Sequence, residues 1–145
     1  MEGCNEKEYD ALIKNGTWRL VDPPAGIKSI GCKWVYKIKY KADGSFDKYK
    51  ERLVAKGYAQ KEGVDYTETF APTTKWSIIR TLFSLIAQNS WKIHHMDVKT
   101  TFLNVDLKED VYMFQPKGFT VKGKEKEVCK LVKALSGLKQ ASRAW

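Results

Sequence analysis

Residues 32–40 alternate strictly, with Trp34, Tyr36, Ile38 and Tyr40 on even positions and Lys33, Lys37 and Lys39 on odd ones. A period of two places successive side chains on opposite faces, so this stretch predicts a half-buried β-strand. Asp43-Gly44-Ser45 follows as a turn signal, and a second extended run occupies 46–58. Together they predict a β-hairpin. No other feature restricts the fold as much, because slipping a strand by one residue would move its apolar side chains to the solvent face.

The second arm carries Lys48, Lys50, Arg52 and Lys56, all on even positions and therefore on one face, with Val54 as the break. A row of cations repels itself unless something anionic lies across it. Two readings fit: a phosphate-binding face, or an exposed edge kept soluble by lysines.

The charge of the whole chain bears on that choice. Across 145 residues there are 26 Lys and Arg against 17 Asp and Glu, a formal net charge of +9. The excess sits in two blocks, residues 28–61 and 115–145, which flank a mildly acidic centre. Clustered positive charge with interleaved aromatics suits a polyanion such as nucleic acid, and a lysine-rich solvated surface is the alternative. The length suits one domain. No stretch approaches the roughly 18 apolar residues of a membrane span, and the polar first residues do not read as a secretory signal. Cys4, Cys32 and Cys129 are odd in number and far apart, which argues against a disulfide framework and for a reducing, intracellular compartment.

Elsewhere the sequence predicts a short helix over 5–15 stopped by Gly16, and an extended segment at 17–21 closed by Pro23-Pro24. Residues 60–74 read as irregular. From Lys75 the period changes: Trp76, Ile79, Phe83 and Ile86, flanked by Ile78, Leu82 and Leu85, predict a well-buried helix ending near Asn89. Strands are expected at 91–98, 111–114 and 128–135, with a Lys/Glu-rich loop tip at 122–127. Residues 137–145 look helical but lack a stop signal, so the chain reads as cut within a helix.

Asp97 stands out for chemistry, at the end of the expected 91–98 strand. A buried carboxylate there needs a partner or a hard divalent cation. The alternative is an Asp that caps the next helix through Thr100 or Thr101. The adjacent His94 and His95 would point to opposite faces of a strand and show no zinc spacing with the cysteines. No P-loop or dinucleotide fingerprint occurs.

The run Met96-Asp97-Val98-Lys99-Thr100-Thr101-Phe102-Leu103-Asn104-Val105-Asp106-Leu107 resembles the first catalytic motif of copia-type retrotransposon reverse transcriptases. The likeness continues through Gln115-Pro116-Lys117-Gly118-Phe119. Asn15-Gly16-Thr17-Trp18, Arg52-Leu53-Val54-Ala55-Lys56-Gly57-Tyr58, Thr69-Phe70-Ala71-Pro72 and Leu135-Ser136-Gly137-Leu138-Lys139 extend it over nearly the whole chain.

The resemblance implies an α+β fold: the fingers (about 17–90) and partial palm (91–145) of a right-hand polymerase, mainly antiparallel sheet with packing helices. It implies template-directed addition of deoxynucleotides to a primer, with an RNA or DNA template-primer, deoxynucleoside triphosphates and the rest of a Pol polyprotein as partners. Asp97 would be the first metal-binding carboxylate, with the Val98 carbonyl beside it. The metal would be Mg2+, with Mn2+ as the substitute. Lys50, Arg52 and Lys56 would face the triphosphate, and Lys48, Lys50 and Arg52 the nucleic acid. Phe102 would lie under the sugar, and Gly137 and Lys139 would pack against the nascent base pair.

The family carries two more aspartates on a later Tyr-x-Asp-Asp hairpin, and these 145 residues contain no adjacent Asp pair. The resemblance therefore implies a catalytically incomplete portion of a polymerase. A non-catalytic nucleic-acid-binding remnant and a relic without function are the alternatives. Val105 stands where the family usually has glycine, which predicts strain if that turn needs a positive φ. Thr101, Ser136 and Ser142 replace a usual alanine, tyrosine and proline.

Overall fold

A computed structural model describes residues 4–98 and 100–145. In chain order the elements are α1 (Cys4–Lys14), β1 (Trp18–Val21), β2 (Cys32–Tyr40), β3 (Phe46–Ala55), α2 (Trp76–Gln88), β4 (Tyr112–Met113), β5 (Val128–Leu131) and α3 (Ala141–Ala144). Short 3-10 turns lie at Gly57–Ala59 and Thr101–Asn104. The fold is α+β with antiparallel sheets, as expected.

Helix α1 ends where the sequence places its stop. Gly16 takes φ +61°, and the buried Thr17 donates to the Leu12 carbonyl twice, from its backbone N–H at 3.1 Å and its hydroxyl at 2.8 Å. That satisfies a carbonyl the helix end would otherwise leave open. The chain then enters β1, which lies at the edge of a three-stranded sheet of order β1-β5-β4. Strands β2 and β3 form the expected hairpin as a separate two-stranded sheet.

The two sheets are joined at the base of the hairpin. Ile30, just before β2, donates to the Tyr112 carbonyl at 2.8 Å and accepts from Phe114 N–H at 2.9 Å. Ala55, the last residue of β3, donates to the Ser136 carbonyl at 2.8 Å. Around these seams sits the core: Leu12 from α1, Trp18 from β1, Leu53 and Ala55 from β3, Val111 and Met113 by β4, Cys129 and Leu131 from β5, and Leu135, Leu138 and Ala141 beyond. Cys129 is so enclosed that burial pushes its thiol up to about 12. That contribution to stability is intact below the ordinary thiol value of 9.0 and is lost as pH rises towards 12.

Several expectations change. The arm 46–58 pairs only to Ala55 before turning, and the strands expected at 111–114 and 128–135 shorten to Tyr112–Met113 and Val128–Leu131. Strand β2 is half-buried only at Cys32 and Trp34; Tyr36, Ile38 and Tyr40 are exposed, because the outer hairpin stands away from the core. Helix α2 forms but is not buried: Trp76, Ile78, Leu82, Phe83 and Leu85 all face solvent, since no described element covers its apolar stripe. Residues 91–98 form no strand, since no strand among the described residues pairs with them, and Asp97 is exposed. Val105 is extended at φ −124°, so it carries no strain; the left-handed residue of this motif is Thr100 at φ +51°.

Glycine is required where the hairpin base meets the later chain. Gly137 takes φ +91°, and a Cβ there would collide with the Ala55 carbonyl oxygen, while a Cβ on Gly57 would collide with the Gly137 carbonyl. Gly137→Ala should therefore destabilise the chain by about 2 kcal/mol or more in urea unfolding, combining backbone strain with the clash. An unchanged midpoint would show that the crossing is not needed.

Candidate functional site

The register of the hairpin gathers more positive charge than either strand alone. Val35 lies opposite Arg52, Lys37 opposite Lys50, and Lys39 opposite Lys48. Residues directly opposite in an antiparallel pair share a face, so Lys37, Lys39, Lys48, Lys50 and Arg52 form one cationic surface. Among the described residues the ion pairs are Lys124–Glu127, Lys130–Asp110 and Arg143–Glu68, and none of them neutralises it.

The inner end of that surface opens into a cleft of about 520 Å³. Strand β3 supplies Lys50, Arg52 and Leu53; helix α1 supplies Glu8 and Leu12; the loop 97–103 supplies Asp97, Val98, Thr100, Thr101, Phe102 and Leu103; Leu135 and Ser136 close it. Five residues expected from the sequence to serve one site, Lys50, Arg52, Asp97, Val98 and Phe102, thus line one cavity. They come from segments more than 40 residues apart in the chain.

The charges in the cleft act on one another. Burial holds the Lys50 ammonium below its ordinary value, with Arg52 and Lys39 adding like-charge repulsion, and Glu8 and Asp97 opposing the shift. Burial pushes the Glu8 carboxyl up, against the pull of Arg52 and Lys50. Sequence reasoning missed Glu8. Its one signal is the four-residue spacing to Leu12, which puts both on the same helix face. Rings hold α1 in this orientation: Tyr9 stacks on Phe119 at 4.3 Å, and Phe119 meets Trp34 of β2 at 5.5 Å.

The loop 97–103 is shaped by its own hydrogen bonds. The Thr101 hydroxyl donates to the Val98 carbonyl at 3.0 Å, and Leu103 N–H donates to the Thr100 carbonyl at 2.8 Å. Leu103 is buried, anchoring the loop, while Phe102 is half-buried at the cleft wall. As oxygen donors for a hard cation, the cleft offers the Asp97 and Glu8 carboxylates and the Val98 carbonyl, the last already accepting from the Thr101 hydroxyl. Among the described residues no three His, Cys, Asp or Glu side chains converge as a metal cluster. These donors are the oxygen types that a hard cation such as magnesium takes, and they are short of what a two-ion site needs.

The remaining expected residues lie outside the cleft. Lys48 is exposed on the outer hairpin. Lys56 follows β3, its N–H donating to the Gly31 carbonyl at 2.8 Å and its side chain lying along Gly31. Gly137 forms the crossing with Gly57, and Lys139 is exposed beside it. A buried amide pair fixes this loop: Lys139 N–H donates to Gln60 Oε1 at 2.8 Å, Gln60 Nε2 donates to Gln140 Oε1 at 3.1 Å, and Gln140 Nε2 donates to the Asp65 carbonyl at 2.9 Å.

Residues 15–145 match the family described as reverse transcriptase (RNA-dependent DNA polymerase). The chain is similar to the retrovirus-related Pol polyprotein from transposon TNT 1-94 of Nicotiana tabacum, 49% identical over 140 residues that cover 97% of this chain and 10% of that protein. It is 50% identical over 139 residues to the Pol polyprotein from transposon RE1 of Arabidopsis thaliana, covering 95% of this chain and 10% of the relative. The truncated transposon Ty1-A Gag-Pol polyprotein of Saccharomyces cerevisiae is 29% identical over 147 residues, 96% of this chain and 11% of that protein. The chain thus spans about a tenth of the length of these relatives. No solved structure matches it.

The amide pair generates a prediction. Gln60→Ala leaves the part-buried Lys139 N–H and one end of the buried Gln140 amide without partners, which costs about 1–3 kcal/mol in chemical denaturation. Gln60→Glu keeps the acceptor for Lys139 but loses the donor to Gln140, and should fall between. Equal stability of all three chains would contradict this account of the loop.

Proposed function

The chain belongs to the reverse transcriptase (RNA-dependent DNA polymerase) family, and from that premise we propose that it forms the fingers and first part of the palm of a right-hand polymerase. Its role is to hold an RNA or DNA template-primer and the incoming deoxynucleoside triphosphate. The observation that carries the proposal is the shared cleft: two cations from β3, an exposed carboxylate at Asp97 and the ring of Phe102 line one cavity, although the chain separates them widely.

Each residue then has a physical task. The half-buried Lys50 and the exposed Arg52 offset phosphate charge, Arg52 through a planar fork that suits phosphate oxygens. Asp97 and the Val98 carbonyl would hold one magnesium ion, which would supply charge neutralisation at the phosphates. Phe102 presents an aromatic edge where a sugar would lie, disfavouring a 2′-hydroxyl. The outer cations Lys37, Lys39 and Lys48 continue the positive surface along the path a polynucleotide backbone would take, and Lys56, Gly137 and Lys139 lie at its inner margin. The approximate division into fingers (17–90) and partial palm (91–145) belongs to the same proposal, with the β1–β5 pairing as the seam between them.

Catalysis needs more carboxylates than the cleft contains, so these 145 residues by themselves bind without extending a primer. The rest of a Pol polyprotein is the partner that would supply the missing groups.

Binding of single-stranded RNA, followed by fluorescence anisotropy over a series of salt concentrations, tests the reading. The log–log slope scales as about −0.7 per neutralised phosphate. Replacing Lys48, Lys50 and Arg52 together with alanine should reduce its magnitude by about 2, whereas Lys122→Ala with Lys126→Ala in the loop tip should leave it alone. Equal slopes in all three proteins would contradict the proposal.

A further inference from the structure

The cleft contains an anion that the proposed phosphate site does not use. Glu8 is half-buried on the face of α1 that also carries the fully enclosed Leu12, so packing of the helix carries its carboxylate into the cavity. Arg52 and Lys50 both act on it electrostatically, and both line the same space. With Asp97 also lining the cavity, the two carboxylates formally cancel the two cations. A cavity that takes a polyanion would be expected to carry net positive charge.

We propose that Glu8 is a built-in competitor of the cleft: its carboxylate stands in for a phosphate before Lys50 and Arg52, and a triphosphate enters against it. The inference rests on the reading of the cleft as a triphosphate site and adds to it a device that sets the affinity. Helix α1 becomes part of the site through this side chain. The charged groups that act on Glu8 are Arg52 and Lys50 of β3, while Lys39 of β2 and Asp97 of the same cavity act on Lys50. Removing the Glu8 charge leaves the cleft formally positive, so an anion that met a formally neutral cavity meets net attraction. Attraction across a partly solvated cavity survives because it is screened less than at an open surface.

The test is calorimetric titration of the 145-residue chain with inorganic triphosphate in excess EDTA, so that no metal contributes. Glu8→Gln and Glu8→Ala should bind about five- to tenfold more tightly than the parent, and Glu8→Asp, which keeps the charge, should bind like it. Lys50→Ala and Arg52→Ala should bind more weakly. Far-UV circular dichroism establishes that each variant is folded, and the two uncharged variants provide independent readings should one fail to fold. Unchanged or weaker binding by folded Glu8→Gln and Glu8→Ala, with weaker binding by Lys50→Ala, overturns the competitor while leaving the triphosphate site standing. If neither the parent nor the uncharged variants bind, or if Lys50→Ala and Arg52→Ala bind like the parent, the triphosphate site falls and the competitor with it.

Discussion

The contact on which the site depends is the one between the end of β3 and the loop at 135–140. Ala55 N–H donates to the Ser136 carbonyl, and two glycines let the backbones approach closer than any side chain would permit. This crossing sets where the hairpin leaves the core, and therefore where Lys50 and Arg52 sit relative to Asp97. A polar amide pair behind it, Gln60 with Gln140, leaves its buried hydrogen-bonding groups partnered, so the crossing is fixed in direction as well as in distance. Charge placement in the cleft follows from backbone geometry at its edge, where Ser136 both lines the cavity and accepts from Ala55.

Local elements were legible in the sequence because their signals are local. The alternation of 32–40 and the Asp43-Gly44-Ser45 turn gave the hairpin, Gly16 gave the end of α1, and the apolar stripe from Trp76 gave α2. What depends on distant partners was not legible. Nothing in residues 18–21 indicates that they pair with 128–131, more than a hundred positions away. The burial expected for α2 and the strand expected at 91–98 both presupposed neighbours that the described chain does not provide. At the site, motif likeness singled out Lys50, Arg52, Asp97, Val98 and Phe102, which line the cleft, together with Lys56, Gly137 and Lys139, which do not, and it was silent about Glu8, whose place depends on how α1 packs.

The surface that results is divided in character. The outer hairpin is cationic on one face and rich in exposed rings on the other, where Tyr36, Tyr40, Phe46 and Tyr49 lie. Helix α2 and the segment after it expose Trp76, Leu82, Phe83, Trp91, Ile93 and Met96. Fully burying one such side chain is worth about 1.5–3 kcal/mol, so a contiguous set left in water favours whatever covers it. The strand-paired half of the chain, by contrast, has a closed core around Leu12, Leu53, Met113 and Cys129. The cleft lies on the boundary between these halves, with β3 and α1 on the packed side and the exposed loop bearing Asp97 on the other.

The central claim is that this boundary cleft receives a nucleotide. Photolabelling with an azido-substituted deoxyadenosine triphosphate, followed by mass-spectrometric mapping of the modified peptides, addresses it without requiring catalysis. The account predicts saturable labelling, displaced by unmodified deoxynucleoside triphosphate, within residues 50–53 and 97–103. Saturable labelling confined to the separate cavity of about 380 Å³ beside Asp106, Lys108 and Arg143 would contradict it, as would labelling that no deoxynucleoside triphosphate displaces.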